Sequence, residues 1–566
     1  MGIIVIYRRF SSLVFILAGS LLLISCGGGG GSSSPEPTPT PPTVPTDPPP
    51  DPEPTVDHSG LEPMSASTIL DEEYLSGGAA SVFVSNQDAF GTRPEPIADD
   101  FQLDGFFTSG DHLFRTPHED IGPILNTGTC QGCHLNDGRG VAPDPMAPML
   151  SMLVKIGRAN GEQDPIYGEQ IQPFAEQSFT TNDFTSGFSI HNGSVNGTEL
   201  YGEAFPFLEY ETIDGKYPDG TSYQLRKPVY KIRDLSFGEF ADDAQFSARV
   251  APQAFGVGLL AEIPQDNILA LADPDDADGD GISGRASMVT DAFSNQTVLG
   301  RFAYKAQNPT VLQQVAGAYR GDIGITNTIF PEEPCTDQQL ACLMVAEQES
   351  KISPEVDFSA RKLALVEFYN RVLGVPARRG FDTDSNTWND DVAAGRTLFF
   401  EVGCTSCHTP RHVTGEAAGS VLGGLTLTGL TEEAEPIEML SEQTIFPYTD
   451  LLLHDMGGSC QVTRELADGQ SCQTGEACYY VQRCEGLADG LPQGDASGTE
   501  WKTPALWGIG LVQVVNADST FLHDGRARTL EEAVLWHGGE AEQAKSTFME
   551  LTSAERNQLI SFLESL

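Results

Sequence analysis

Residues 127 to 138 read "TGTCQGCHLNDG" and residues 401 to 412 read "EVGCTSCHTPRH". Each stretch holds two cysteines, separated by two residues, and then a histidine: Cys130, Cys133 and His134, and again Cys404, Cys407 and His408. Two thiols at that spacing can form thioethers to the vinyl groups of one haem, and the adjoining imidazole becomes an iron ligand. A thioredoxin-like dithiol would leave the histidine after both motifs unexplained. The expectation is two covalently bound haem c groups, each motif supplying one face of its iron. The opposite face decides the chemistry, because an iron with two protein ligands passes electrons while an open position can bind and reduce a small molecule.

Ten histidines are available. His134 and His408 are proximal, His58 stands in or beside a proline-rich stalk, and His412 would have to cross its own haem plane. Six candidates remain, His112, His118, His191, His454, His523 and His537, together with methionines such as Met146, Met149, Met152 and Met456. In "TLEEAVLWH" a capping box of Thr529 and Glu532 opens a helix that puts Leu530, Ala533, Val534 and His537 on one face. That makes His537 the best-supported sixth ligand, against a core histidine bonded to backbone. His454 reads equally as ligand or structural residue, and His523 as a propionate partner or a lining between haems. "DPDDADGDGISGR" sets Asp276, Asp278 and Asp280 at alternate positions as in a calcium loop, but Ser287 stands where the twelfth-position acid should be. An Asx-rich turn is the competing reading.

The elements that must hold these residues are helical. "DDVAAGRTLFFEVGCTSCH" places Val392, Gly395 and Phe399 on one helical face before Cys404, and the first half repeats Gly-x-x-Leu-Phe at Gly110, Leu113 and Phe114. This suggests an internal duplication of a cytochrome c unit. "TSAERNQLISFLESL" carries a capping box at Thr552 and Glu555 and an apolar stripe of Leu559, Ile560, Leu563 and Leu566. Residues 140 to 385 are richer in Gly, Pro and Asp, with short helices, long loops and hairpins as around "RKPVYKIRDLSFG". The expected fold is therefore mainly α, two cytochrome c-like haem domains with a long loop-rich insertion containing short helices and a few strands. Boundaries are expected at 61–385 for the N-terminal haem domain with its insertion and 386–566 for the C-terminal one.

Residues 1–26 read as a lipoprotein signal peptide: Arg8 and Arg9, an apolar run, and Leu23-Ile24-Ser25 before Cys26, the lipidation candidate. Residues 27–60 form a Gly/Ser/Pro-rich tether. The implied location is a bacterial outer membrane, facing the periplasm or cell surface, with the lipid as the only membrane contact. Eighty acidic against 32 basic residues, a formal charge of -48, argue against nucleic acid. The same charge suits a basic redox partner, or simply a solubilising surface. Of eleven cysteines, six remain after Cys26 and the motifs: Cys335, Cys342, Cys460, Cys472, Cys478 and Cys484. In an exported protein an even remainder suggests three disulfides. Cys335 with Cys342 is the local pair, the other four allow three connectivities, and zinc is the alternative for that cluster.

"GPILNTGTCQGCHLNDGRG", "DPIYGEQIQ", "RVAPQAFGVGLLAEIP", "DPDDADGDGISGR", "KAQNPTVLQQVAGAYRGDIGITN", "FPYTDLLLHDMG" and "TFLHDGRARTLEEAVLWHGGEA" resemble the bacterial di-haem oxidoreductases, also called thiol-oxidoreductase-like proteins, relatives of the di-haem cytochrome c peroxidases. The resemblance implies a periplasmic protein that passes electrons between two haems, with a six-coordinate C-terminal haem and an N-terminal haem that opens to bind peroxide. In those relatives the helix end that His537 occupies here supplies a methionine, so the resemblance suggests His408 and His537 as an axial pair. No distal residue or catalytic acid carries over to the His134 haem. The leading expectation is a peroxidase-like oxidoreductase served by a soluble or membrane-bound redox partner. The alternatives are an electron-transfer cytochrome with both irons saturated, and a redox accessory in metal uptake or cofactor maturation.

Overall fold

Helices begin where a side chain can take up their first free N–H groups. Asp100 accepts from Gln102 and Leu103 at the start of Phe101–Arg115, and Ser359 from Lys362 at the start of Ala360–Val372. Asn389 opens Asp390–Glu401 in the same way, and Thr552 with Glu555 forms a complete capping box on Ser553–Ser565. At Leu530–Leu535 the box is half formed: the Thr529 hydroxyl accepts from Glu532 N–H, but the Glu532 carboxylate takes the Arg528 N–H instead. The computed structural model describes residues 64–118, 121–175, 192–195, 197–352, 356–417, 421–422, 425–426, 437–473, 476 and 478–566. Cys26, the tether, His58 and His191 lie outside them. No described helix is long and apolar enough to cross a membrane.

Two helix pairs frame the haem motifs. Phe101–Arg115 packs on Ala360–Val372, and Asp390–Glu401 on Ser553–Ser565. Each crossing is closed by a glycine: a Cβ on Gly110 would lie 2.3 Å from the Leu365 carbonyl oxygen, and one on Gly395 would lie 1.8 Å from that of Gln558. The repeated Gly-x-x-Leu-Phe element thus performs one task twice. Backbone cannot yield as a side-chain tip can, so Gly395→Ala should cost about 1–3 kcal/mol, read as a lowered Tm in calorimetry; an unchanged Tm would mean that the helices can separate freely.

The expectation of a mainly α protein is corrected here. The described residues are 30% helix and 22% strand, a mixed α and β fold. The insertion, expected to be loop-rich with a few strands, holds a long antiparallel hairpin where "RKPVYKIRDLSFG" suggested one, Phe205–Lys216 with Ser222–Arg233, in register from Phe205 opposite Arg233 to Lys216 opposite Ser222. Short apolar runs between Gly and Pro are too brief for stable helices but long enough for strands, and only distant partners decide between strand and loop. Here those partners come from the other half of the chain: Ser459–Glu465 and Tyr479–Glu485 complete a four-stranded sheet on the Ser222–Arg233 edge. A second sheet orders Ala244–Val250, Met152–Arg158 and Gln170–Ile171.

The main core runs through Phe90, Phe255, Tyr369, Phe399, Trp507 and Phe562, and a second apolar cluster joins the sheets through Ile156, Leu208, Tyr230, Phe246 and Tyr480. Met149 and Met152 are consumed by that second cluster. Residues 57–566 form one compact unit. Disulfides join Cys335 to Cys342, Cys460 to Cys484 and Cys472 to Cys478, which selects one of the three connectivities and leaves no thiol in that cluster for zinc.

Candidate functional site

Among the described cysteines, four keep free thiols: Cys130, Cys133, Cys404 and Cys407. All are half-buried. Burial pushes the Cys130 and Cys404 thiols up to about 12 and raises Cys133 and Cys407 as well. Each pair flanks a short 3-10 turn, and each turn delivers its histidine to the same setting. His134 Nδ1 donates to the Pro252 carbonyl at 2.7 Å and His408 Nδ1 to the Tyr448 carbonyl at 3.0 Å. A carbonyl can only accept, so the proton sits on Nδ1 and the Nε2 lone pair is left for a metal. Burial lowers both imidazoles, His408 to about 4 with His537 adding to the effect, so both are neutral at pH 7. Phe114 and Phe399, the matched phenylalanines of the two lead-in helices, stand 5.9 and 6.2 Å from these rings. Thiol pairs, fixed tautomers and apolar walls together fit a haem at each motif.

The turn after His134 is pinned to its helix pair. Tyr369 donates to Asp137 at 2.6 Å and Arg115 pairs with the same carboxylate. Removing either donor would leave a buried carboxylate under-satisfied.

The two histidines have different company. Near His408 stands His537, just past the end of Leu530–Leu535, with Nδ1 donating to the Ala533 carbonyl at 2.8 Å. Its Nε2 is therefore free in the same sense. The stripe Leu530, Ala533, Val534 and His537 is half-buried, not buried as its periodicity implied; Leu535 and Trp536 are the buried pair. A half-covered apolar stripe ending in an imidazole beside His408 is what a planar iron-bearing group would complete.

Near His134 stands a carboxyl that spacing did not reveal. A single π turn, Tyr319–Ile323, carries Asp322, whose carbonyl accepts the Asn126 and Thr127 N–H groups at 2.8 and 3.0 Å, just before the first motif. Gln170 Nε2 donates to Asp322 Oδ1 at 2.8 Å. Burial raises the Asp322 carboxyl above its ordinary range, against the pull of Lys155, the Gln170 hydrogen bond and His134. The Gln170 amide oxygen is buried without a hydrogen-bond partner, an open acceptor beside the motif. Gln170, Asp322 and His134 lie far apart in sequence, so no local pattern could have joined them. The π turn is the kind of local irregularity that often marks function, but it too is a product of folding.

The remaining candidates resolve as follows. His454 bonds Asp450 through Nε2 at 2.8 Å and Glu540 through Nδ1 at 2.7 Å. Burial opposes its charge, but its hydrogen bonds to Asp450, Cys407 and Glu540 hold it at about 12. It is a cation with both nitrogens occupied, hence structural, and it stands 3.6 Å from Cys407 Sγ. His412 bonds the Thr449 carbonyl at 2.7 Å. His118 packs edge-on against Tyr319 and Phe358, and His112 lies exposed beside Thr116. Met146 is half exposed, and Met456 is partly buried on the main core.

His523 lies in a series of neighbours that joins the two motifs. It stacks on Trp501 at 3.9 Å and 17°, Trp501 pairs across strands with His454, and the His523 carbonyl accepts from Val250, two residues before Pro252. A continuous series therefore runs from Cys407 through His454, Trp501, His523 and Val250 to the carbonyl that holds His134.

The carboxylates of Asp276, Asp278 and Asp280 have ligand atoms within 4.8 Å of one another. They also accept backbone N–H groups of their own turn, Gly281 on Asp276, Asp280 on Asp278 and Ile282 on Asp280. Ser287 is turned away, its hydroxyl donating to the Ala306 carbonyl at 3.0 Å.

The family model described as "Di-haem oxidoreductase, putative peroxidase" matches residues 75–477 and 478–566. No curated protein matches the chain. Among solved structures, hydrazine synthase of Kuenenia stuttgartiensis, in a crystal pressurized with xenon, is 17% identical with a TM-score of 0.22; the match covers 41% of this chain and 63% of that one. Two matched haem-type motifs on two matched helix pairs agree with the family model across the described fold, and the chain belongs to the di-haem oxidoreductase family.

Proposed function

We propose that the protein reduces peroxide at the His134 site with electrons that enter at the His408 site. What carries this reading is the difference between two otherwise matched histidines: a second imidazole, His537, acts on His408 in addition to the Asp450 carboxylate, whereas the group acting on His134 is the Asp322 carboxyl. Cys130 and Cys133, and Cys404 and Cys407, would hold haem c by thioethers, and the haem would supply electron exchange at one site and reduction of a small oxidant at the other. His408 and His537 bring two Nε2 lone pairs to one site, which suits transfer without substrate. At the other site Gln170 Nε2 donates to Asp322 Oδ1, which leaves Oδ2 as the oxygen that would hold and deliver a proton. Reducing one peroxide to two waters takes two electrons and two protons, and Asp322 can pass protons singly. We assign Cys26 to lipid attachment facing the periplasm, and the Asp276–Asp278–Asp280 turn to calcium.

Trp501 and His523 lie on the route between the sites. Trp501→Ala should slow electron transfer between the haems, measured by stopped-flow after half-reduction, without altering either haem spectrum; an unchanged rate would place the route elsewhere.

The decisive experiment is spectroscopic. The ferric or half-reduced holoprotein should show a change at one haem on adding cyanide or peroxide. Two low-spin haems, indifferent to both in every oxidation state, would replace this reading with that of an electron carrier.

A further inference from the structure

We propose that Lys305 and Arg249 keep Trp501 from being oxidised, so that electrons cross its indole as an intervening medium and never leave a hole on it. This rests on the relay role given to Trp501 above. The indole is 7% exposed. Lys305 Nζ lies 4.7 Å from its ring centroid and the Arg249 guanidinium carbon 5.6 Å. The ammonium cannot swing away: it is fully buried and donates to Asp489 Oδ1 at 2.8 Å, the Leu491 carbonyl at 2.8 Å and the Ser497 carbonyl at 2.7 Å. The two cations share Asp489, with Arg249 at 3.5 Å from its second oxygen, and the Glu500 carboxylate, which also acts on Lys305, is itself paired with Arg285. The neighbouring Asp524 is matched by Arg526, and His523 is held neutral by burial.

A cation near a neutral aromatic ring is attracted by the electron-rich face. Taking an electron from the ring turns that attraction into repulsion between like charges in a low-dielectric interior. The usual escape for an oxidised indole is loss of its N–H proton to a base. Trp501 Nε1–H donates to the Leu487 carbonyl at 2.9 Å, and a carbonyl oxygen accepts a hydrogen bond but is too weak a base to take the proton. Both outcomes of one-electron oxidation, the radical cation and the neutral radical, are therefore disfavoured at this position. The consequence for a peroxidase is protective, since a tryptophan between two redox centres is otherwise a natural sink for oxidising equivalents.

Azide radicals, which remove one electron from tryptophan and tyrosine, test this without peroxide chemistry. The holoprotein would be oxidised by pulse radiolysis and the tryptophan-radical absorbance followed in four proteins: wild type, Trp501→Phe, Lys305→Met and the double variant. Wild type and Trp501→Phe should give the same yield. Lys305→Met should give a higher one, and Trp501→Phe should remove the gain. A wild-type yield above that of Trp501→Phe overturns the proposal even if Lys305→Met fails to fold. No gain in a folded Lys305→Met overturns it as well. Neither outcome depends on the peroxide reading, which stands or falls on the ligand-binding spectra.

Discussion

Asp322→Asn should lower kcat for peroxide reduction by about 10²- to 10⁴-fold, the range expected when a positioned proton donor is lost. Asparagine keeps the shape and the Gln170 contact to Oδ1 but has no acidic proton. The pH profile makes the same point with a sign. A carboxyl raised above its ordinary range keeps its proton further up the pH scale. If the protonated form donates, kcat is full below that pKa and falls as pH rises through it. In Asp322→Asn this limb should flatten. An unchanged kcat, or a falling limb that survives the substitution, would remove Asp322 from proton delivery.

His537→Ala should convert the His408 haem from low spin to high spin. The imidazole Nε2 is the only part of the ring left for a metal, because Nδ1 is committed to Ala533. Methyl in its place cannot ligate, so the sixth position falls to water or stays open. His523→Ala is the comparison: it also removes a buried imidazole, but one committed to Trp501, and the spin state should not respond. A low-spin spectrum retained in His537→Ala would reassign the ligand.

What the sequence could express was whatever depends on near neighbours. Thr552 and Glu555 announce their helix because a capping box spans four residues, and Cys335 and Cys342 bridge as near neighbours should. Gly110 and Gly395 repeat in register because each lead-in helix must meet a partner at backbone distance. The sheets were illegible for the opposite reason. Only the neighbourhood of "RKPVYKIRDLSFG" hinted at Ser222–Arg233, while its partners at 479–485 lie some 250 positions away. Asp322 was one of 80 acidic residues until Asn126, Thr127 and Gln170 gathered around it. His537 lay between these cases. Its helix was readable, but the half-buried state of its stripe depends on what packs opposite.

The shared four-stranded sheet also sets the order in which this protein can mature. Ser222–Arg233 is made early in synthesis, yet the strand that covers its free edge, Tyr479–Glu485, is made near the end. Until then the early hairpin offers an open edge to any passing strand, the hazard that such edges carry. Pairing across so long a loop is slow as well. The first motif must therefore wait, or receive its haem, on an unfinished half, and a chain cut after residue 385 would keep every residue of that motif while losing the strand that seals its neighbour.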